Sequence, residues 1–130
     1  MKRAYYQNSI SSFLKDDQEK ILGELARHHH FELDLAQKNA WLQQIANLKE
    51  QLVDFQFGEI FFEFSIPRMG KRADVVLYLM DIVFVLEYKA GAKAYDRHSI
   101  DQVLDYALDL KNFHEGSHQK PIVPILICTK

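Results

Sequence analysis

The chain has 130 residues, of which 48% are hydrophobic and 26% are charged. This length allows a single domain with a buried core, and the composition excludes a disordered chain. The formal net charge of −2 excludes a uniformly basic nucleic-acid-binding protein, so a phosphate-binding surface would have to be local. Two basic stretches are candidates for such a surface: Arg68, Lys71 and Arg72 in the first, and Lys89, Lys93 and Arg97 in the second.

The sequence shows no pattern typical of secretion or membrane insertion. Cys128 is the only cysteine, which excludes an intramolecular disulfide. The N-terminal residues lack the apolar core of a signal peptide, and the longest apolar stretch is interrupted by Asp81 and is too short to span a bilayer. We therefore predict a cytoplasmic protein with no membrane partner. The triplet His28-His29-His30 is predicted to lie at a helix end or in a loop, because neighbouring helical side chains point in different directions.

Residues 1–34 are predicted to form an N-terminal helical extension. Residues 9–15 read as a lead-in, after which Asp16 or Asp17 can cap a helix that runs to about His28. A stronger helix begins at about Leu35, the start of the predicted main domain at residues 35–130, and ends near Val53. Its apolar residues recur at helical spacing along one face: Trp41, Ile45, Leu48 and Leu52.

After Gly58 the hydrophobic period changes to that of strands. The predicted elements are strands at Ile60–Ile66, Lys71–Met80, Ile82–Lys89 and Pro121–Cys128, a turn at Pro67–Gly70, a loop at Ala90–Lys93, and a helix from a Ser99 cap to Phe113. The run Val75–Leu86 is apolar on both faces except at Asp81, so the second and third strands should be central in the sheet. The last strand should be buried as well. The predicted order is α, α, β, β, β, α, β.

Charged residues lie at the ends of the two central strands. Asp74 precedes the apolar run of one strand, and Glu87 and Lys89 close the other. Because side chains alternate across a strand, Glu87 and Lys89 should share one face. Buried charges need a metal or a counter-charge, and carboxylates that bind Mg²⁺ beside a lysine suit phosphodiester hydrolysis. The pattern predicts a metal-dependent phosphodiesterase site, with the carbonyl oxygen of Tyr88 as a third candidate ligand.

The hairpins predict that a third carboxyl group joins this pair. A two-residue turn at Arg68-Met69 would place Glu63 opposite Asp74, and one at Met80-Asp81 would place Asp74 opposite Glu87. The carboxyl groups of Asp74 and Glu87 are then expected within about 6 Å of each other, close enough to share one cation. Three like charges in a row destabilise a sheet unless something cationic lies among them.

The helix that follows carries two further polar candidates. Gln102 and Tyr106 are four residues apart and therefore share one helix face, where they could hydrogen-bond a phosphate, a base or the catalytic lysine. They are expected at the edge of an apolar face that packs on the sheet and consists of Ile100, Val103, Leu104 and Ala107.

Asp74, Glu87-x-Lys89 and Gln102-x-x-x-Tyr106, in this order and at these intervals, resemble the PD-(D/E)XK nuclease superfamily. The last pair resembles its RecB-like branch. More narrowly, three segments are similar to nuclease-like regions that precede P-loop NTPase or helicase-like domains in bacterial proteins: Phe62-Glu63-Phe64, Ile66 to Arg72, and Asp101 to His114. The resemblance covers about residues 58–129.

This resemblance implies an α/β fold with a restriction-endonuclease-like αβββαβ core, in which helices flank a mixed central sheet. It implies Mg²⁺, replaceable by Mn²⁺, at Asp74 and Glu87, with Lys89 as the catalytic lysine. Supporting or substrate-binding roles fall to Gln102, Tyr106, Glu63 and Arg72. Ala73 stands where the superfamily has the proline of its name. The acidic residue that the superfamily places on its first core helix stays open between Glu50, Glu24 and the strand residue Glu63.

Three functions compete at this point. The leading hypothesis is a Mg²⁺-dependent nuclease, acting on DNA rather than RNA and attached to an NTP-driven motor. The second is a catalytically weak nuclease fold that binds nucleic acid and positions the motor. The third is an interaction domain in which Asp74, Glu87 and Lys89 form a buried ion-pair network. We also expect the chain to be the N-terminal part of a longer protein, whose terminal strand docks a downstream P-loop NTPase domain or a second copy of the chain.

Overall fold

The computed structural model describes residues 3–29, 34–90, 96–113 and 120–129. They form a five-stranded mixed sheet and four helices. The elements in chain order are β1 (Tyr6–Ser9), α1 (Ile10–Lys15), α2 (Gln18–Arg27), α3 (Leu35–Gln51), β2 (Glu59–Ile66), β3 (Lys71–Leu79), β4 (Ile82–Ala90), α4 (Arg97–Phe113) and β5 (Ile122–Thr129). From α3 onwards the order is α, β, β, β, α, β. None of the helices in these ranges has the length and apolar character needed to cross a membrane.

The strands lie in the order β1-β2-β3-β4-β5. All neighbouring strands are antiparallel except β4 and β5, which are parallel. A parallel pair needs a long crossover connection, and α4 lies in the connection between these two strands. The predicted central position of β3 and β4 is confirmed, since each has a neighbouring strand on both sides.

Aspartates begin three of the four helices. Asp17, Asp34 and Asp96 each precede a helix, and each carboxylate accepts a hydrogen bond from the backbone N–H three residues later. Such caps satisfy N–H groups that have no partner within the helix. The predicted cap at Ser99 was wrong: α4 begins earlier, at Arg97, and Ser99 is buried in its first turn, where its N–H donates to Asp96.

The N-terminal region contributes a strand that the sequence pattern did not predict. Residues 6–9 pair with β2 at the edge of the sheet. Only Tyr6 is buried among these four residues, so they lack the apolar alternation that identifies a strand. The predicted helical extension is therefore a strand followed by two helices. Lys49 of α3 contacts the end of α1, where its ammonium group donates to the carbonyl oxygens of Phe13 (2.7 Å) and Asp16 (2.5 Å). These hydrogen bonds hold α1 against α3.

The sheet is covered on both faces. One face packs against α1, α2 and α3. The apolar stripe that the sequence predicted on α3 is fully buried there. The other face packs against α4, which buries Val103, Tyr106, Ala107 and Leu110. The prediction that Leu104 belongs to the packing face was wrong, because the helix is rotated so that Tyr106 faces the sheet and Leu104 faces solvent. The result is a three-layer α/β/α arrangement.

The last strand is less buried than predicted. β5 lies at an edge, and every residue from Ile122 to Thr129 keeps some exposure, with Val123 37% exposed. Ile122 and Leu126 pack towards α4, whereas Ile125 and Ile127 pack towards the other layer. An edge strand has only one neighbour, so its backbone and side chains are shielded from one side alone.

Candidate metal and nucleic-acid site

Both predicted hairpin registers are confirmed. Phe62 pairs with Val75 and Phe64 pairs with Ala73, on either side of Glu63 and Asp74. Val75 pairs with Leu86, which places Asp74 and Glu87 at the next position of the β3–β4 hairpin. Three acidic residues thus occupy neighbouring positions on three adjacent strands, as the sequence predicted.

The sheet is irregular at this row. Phe62 packs towards α1–α3, but Phe64, two residues later, packs towards α4. A regular strand would place both on the same face. The reversal occurs at Glu63, whose φ of +54° lies in the left-handed region, and the β2–β3 ladder lacks the Glu63–Asp74 pair. A non-glycine residue in this conformation is strained, and such strain is concentrated at functional sites.

The three carboxyl groups are close enough to perturb one another. Burial and the charge of Asp74 raise the pKa of Glu63 to about 8. Burial, the charge of Asp74 and a hydrogen bond to the Asp74 carboxylate raise the pKa of Glu87 strongly, while burial also raises the pKa of Asp74. Glu87 is only 8% exposed, and its Oε1 is buried without a hydrogen-bond partner among the described residues. We call Glu63, Asp74 and Glu87 the carboxyl cluster.

Tyr88 connects the carboxyl cluster to α3. Its backbone N–H donates to Oδ2 of Asp74 at 2.8 Å, and its hydroxyl group donates to Oδ1 of Asn47 at 2.8 Å. Burial, followed by the charge of Asp74, raises the pKa of the Tyr88 phenol. The sequence reading missed Asn47. Its signal was weak: Asn47 is a half-buried polar residue that borders the apolar stripe of α3, three residues after the buried Gln44.

Tyr106 approaches the carboxyl cluster from the α4 side. Its pKa is raised by burial and also by the charges of Glu87, Asp74 and Glu63, while a hydrogen bond from Gln102 lowers it. Nε2 of Gln102 donates to the Tyr106 hydroxyl at 2.8 Å. The two α4 residues singled out in the sequence therefore contact each other, and Tyr106 lies near all three acids.

Lys89 and Arg72 are the two basic residues that the sequence assigned to this site. Lys89 is exposed. The pKa of Asp96, before α4, is lowered mainly by hydrogen bonds from Ser99, and the charge of Lys89 adds to this effect. The guanidinium group of Arg72 donates to the carbonyl oxygens of Glu63 (2.8 Å) and Arg3 (3.3 Å) and lies 4.5 Å from the centre of the Tyr5 ring. Arg72 therefore braces the backbone at Glu63.

The remaining candidates do not join the carboxyl cluster. Glu50 is exposed on α3, and Glu24 lines a separate cavity beside Glu59 and β1. The imidazole groups of His28 and His29 point to different rings, Tyr5 and Trp41 respectively, as predicted for residues at a helix end. His30 and Lys93 lie outside the described residues.

The donor set of the carboxyl cluster is compatible with Mg²⁺, which is typically held by one or two protein carboxylates and several waters. Asp74 and Glu87 share a hydrogen bond, and the unpartnered Oε1 of Glu87 is a further oxygen donor. Within the part of the chain that the structure describes, no group of three or more His, Cys, Asp or Glu side chains is arranged to hold a metal ion. Asp74 and Glu87, whose carboxyl groups share a hydrogen bond, are the two residues that could hold a cation here.

A small cavity lies beside Tyr106. Its volume is about 110 Å³, and it is lined by residues of the β2–β3 turn and the first turns of α4. Lys71, from the first basic stretch, is among them. Arg97, from the second, lies 3.8 Å from Asp101 on the surface of α4.

Comparisons with known proteins give no relative: no family model matches the chain, and neither the curated proteins nor the solved structures include a significant match.

Proposed function

We propose that this chain is a metal-dependent nuclease domain with a restriction-endonuclease-like core, which hydrolyses phosphodiester bonds of DNA and works together with an NTPase domain. The observation that carries the proposal is the carboxyl cluster, in which three largely buried acidic groups lie together on the central strands and have raised pKa values, even with the charge of Arg72 acting on Glu63. Like charges in such a place are costly to the fold. A divalent cation held by Asp74 and Glu87 offsets this cost.

Each residue has a role in this proposal. Asp74 and Glu87 would hold Mg²⁺ or Mn²⁺, which when bound supplies Lewis-acid chemistry at the phosphoryl group. The hydrogen bond from the Tyr88 N–H fixes one oxygen of Asp74. A cation would replace the proton that the Asp74 and Glu87 carboxyl groups share in its absence. Lys89, which follows Glu87 on the same strand, would stabilise negative charge that develops on the phosphate oxygens. Tyr106 would orient the substrate from the α4 side.

The proposal is tested with single-stranded and plasmid DNA in the presence of Mg²⁺ or Mn²⁺. We expect cleavage that is abolished by EDTA and lowered by about 100-fold or more in Glu87→Gln and in Lys89→Ala. Both variants should keep a cooperative thermal transition, because Lys89 is exposed and a neutral glutamine relieves repulsion. Glu59→Gln, the same change at an exposed position of β2, is the matched control and should cleave normally.

Wild-type protein that fails to cleave either DNA with either metal would contradict the proposal. The second candidate function, a DNA-binding module without strong activity, is favoured by the exposed position of Lys89, whose charge acts on Asp96. In that case DNA would bind and remain intact, and Lys89→Ala would weaken binding without changing cleavage.

A further inference from the structure

The cavity beside Tyr106 has a chemical character of its own. Its walls combine a thioether, an imidazole, an amide, a phenol, an ammonium group and two carboxylates, supplied by Met69, His98, Gln102, Tyr106, Lys71, Asp101 and Asp105. At about 110 Å³ it is small, and it is open to solvent on one side. It therefore suits one small planar group rather than an extended chain.

The position of the cavity links it to the carboxyl cluster. Tyr106 belongs to both, because its hydroxyl group accepts a hydrogen bond from Gln102 in the cavity wall and its phenol experiences the charges of Glu63, Asp74 and Glu87. A group in the cavity would thus lie one side chain away from the place where the phosphate is expected.

The charges of the wall disfavour a phosphate in the cavity. Among the described residues, two carboxylates, Asp101 and Asp105, and one ammonium group, Lys71, line the cavity, so this part of the wall is acidic on balance. Arg97 is not part of the wall, and its Nε lies 3.8 Å from Oδ1 of Asp101 on the surface. Carboxylates instead accept hydrogen bonds from exocyclic amino groups, and glutamine can pair with an adenine edge through its amide. A thioether and an imidazole provide apolar and planar contacts for a ring.

We propose that this cavity binds a single unpaired nucleobase with an exocyclic amino group (adenine, cytosine or guanine), next to the carboxyl cluster where the phosphate is expected. The inference rests on the proposed function and specifies its substrate as single-stranded DNA. A base held within a duplex would have to be unstacked before it could enter, which costs several kcal/mol. Asp105 and the amide of Gln102 recognise the base edge, and Tyr106 holds the amide in place.

The experiment measures binding without cleavage. Fluorescently labelled 12-nucleotide strands of dA, dC, dT and abasic residues are titrated with the full chain in EDTA, and anisotropy gives each Kd. We expect dA and dC to bind about tenfold more tightly than the abasic strand, with dT in between. In Gln102→Leu and in Asp105→Asn, the affinity for the dA and dC strands should fall to the affinity for the dT strand. Glu50→Gln removes a charge at an exposed position of α3 outside the cavity and should change nothing.

The outcomes separate this inference from the proposed function. Equal affinity for the abasic strand and for dA or dC overturns the base pocket, whether or not the protein cleaves DNA. Base-dependent affinity that disappears in Asp105→Asn supports it even when no cleavage is seen. Because Asp105 is exposed, its substitution is not expected to unfold the chain, and thermal unfolding of each variant verifies this. If Glu50→Gln lost affinity for all the oligonucleotides, this would also contradict the assignment of the cavity as the base pocket.

Discussion

Burial of Glu87 with one carboxyl oxygen unpartnered is unfavourable for folding alone. Buried polar atoms are nearly always hydrogen-bonded, and an unsatisfied one costs about 1–3 kcal/mol. Here the atom lies beside two further carboxyl groups, so the cost is concentrated at one place in the sheet. Such a concentration of unfavourable terms is expected at a functional site rather than in a purely structural core.

The strain at Glu63 has an identifiable compensation. Its positive φ turns the following side chain to the other face of the sheet and frees its own carbonyl group from the regular ladder. The guanidinium group of Arg72 donates to that carbonyl oxygen and to that of Arg3. Arg72 therefore holds in place the residue that adds the third carboxyl group. This contact joins residues far apart in the chain, so neither periodicity nor a local motif predicts it.

The raised pKa values of the carboxyl cluster predict that the metal-free protein loses stability as pH rises. The pKa of Glu63 is raised from 4.5 to about 8, so the folded state holds this proton more tightly than the unfolded chain does. The stabilisation is complete below about pH 4.5 and is lost as pH rises through about pH 8. Asp74 and Glu87, whose pKa values are also raised, act in the same direction.

Melting temperatures in EDTA between about pH 5 and pH 9 measure this dependence. The curve of Glu63→Gln should be flatter, because one titrating group is gone, while Glu50→Gln, which changes an exposed carboxylate, should follow the wild type. Added Mn²⁺ should raise the melting temperature more at high pH than at low pH. A melting temperature that rises with pH in the wild type would show that the acids are not buried together.

At the scale of elements, the strongest hydrophobic patterns were the most predictive. The stripe on α3 and the apolar run of β3 and β4, broken only at Asp81, predicted the bounds of all three elements to within two residues. A short turn in each hairpin then determined the register that brings Glu63, Asp74 and Glu87 together. The position of Lys89 was not predictable in the same way, because strand alternation gives its face but not the direction of a long side chain near the strand end.

The sequence pattern could not identify the edge strand β1, but it did contain a signal for the edge position of β5. β1 has four residues with a single buried side chain, and its pairing depends on the free edge of β2, so no local signal identifies it. β5 did carry a signal that was overlooked. Pro124 lies within the strand, opposite Val85, and proline lacks the N–H that a central strand needs. The proline favours an edge position, which the structure has.

The β3–β4 turn has a sequence that fits its backbone poorly. Met80 and Asp81 both have positive φ, at +53° and +62°, as in a type I′ turn, where asparagine and glycine are favoured. Asp81 accepts hydrogen bonds from the Tyr78 hydroxyl and from Lys120, which offsets the strain at that position. Met80 is 66% exposed and has no such compensation among its described contacts.

We therefore predict that Met80→Asn stabilises the protein by about 0.5–1 kcal/mol in urea denaturation. Asparagine tolerates the left-handed region, and little apolar burial is lost at this exposed site. Phe57→Asn is the control, because Phe57 is 84% exposed and has no positive φ. An equal gain in the control would mean that removal of exposed apolar surface, and not relief of strain, causes the effect.

At the scale of the whole molecule, the two faces of the sheet are covered unequally. On the α4 side, the helix packs across β5 through Ile122 and Leu126. On the other side, an open apolar groove of about 230 Å³ runs between the end of α3 and strands β3, β4 and β5. Its lining is almost entirely apolar and includes Leu52, Phe55, Phe84, Ile125 and Ile127. Apolar surface of this kind is typical of an interaction site.

We predict that the isolated chain self-associates through this groove in a concentration-dependent manner, because a second copy offers the same apolar surface as a cover. Sedimentation equilibrium should show a dimer that Ile127→Glu shifts to monomer, since the new carboxylate would have to be desolvated in the contact. Leu108→Glu places the same charge on the exposed side of α4, across the sheet, and should leave the dimer intact. A cooperative thermal transition in Ile127→Glu shows that the variant is folded. Wild-type protein that stays monomeric at the highest concentrations would mean that the groove does not join copies of this chain, and would leave a different domain as the partner to look for.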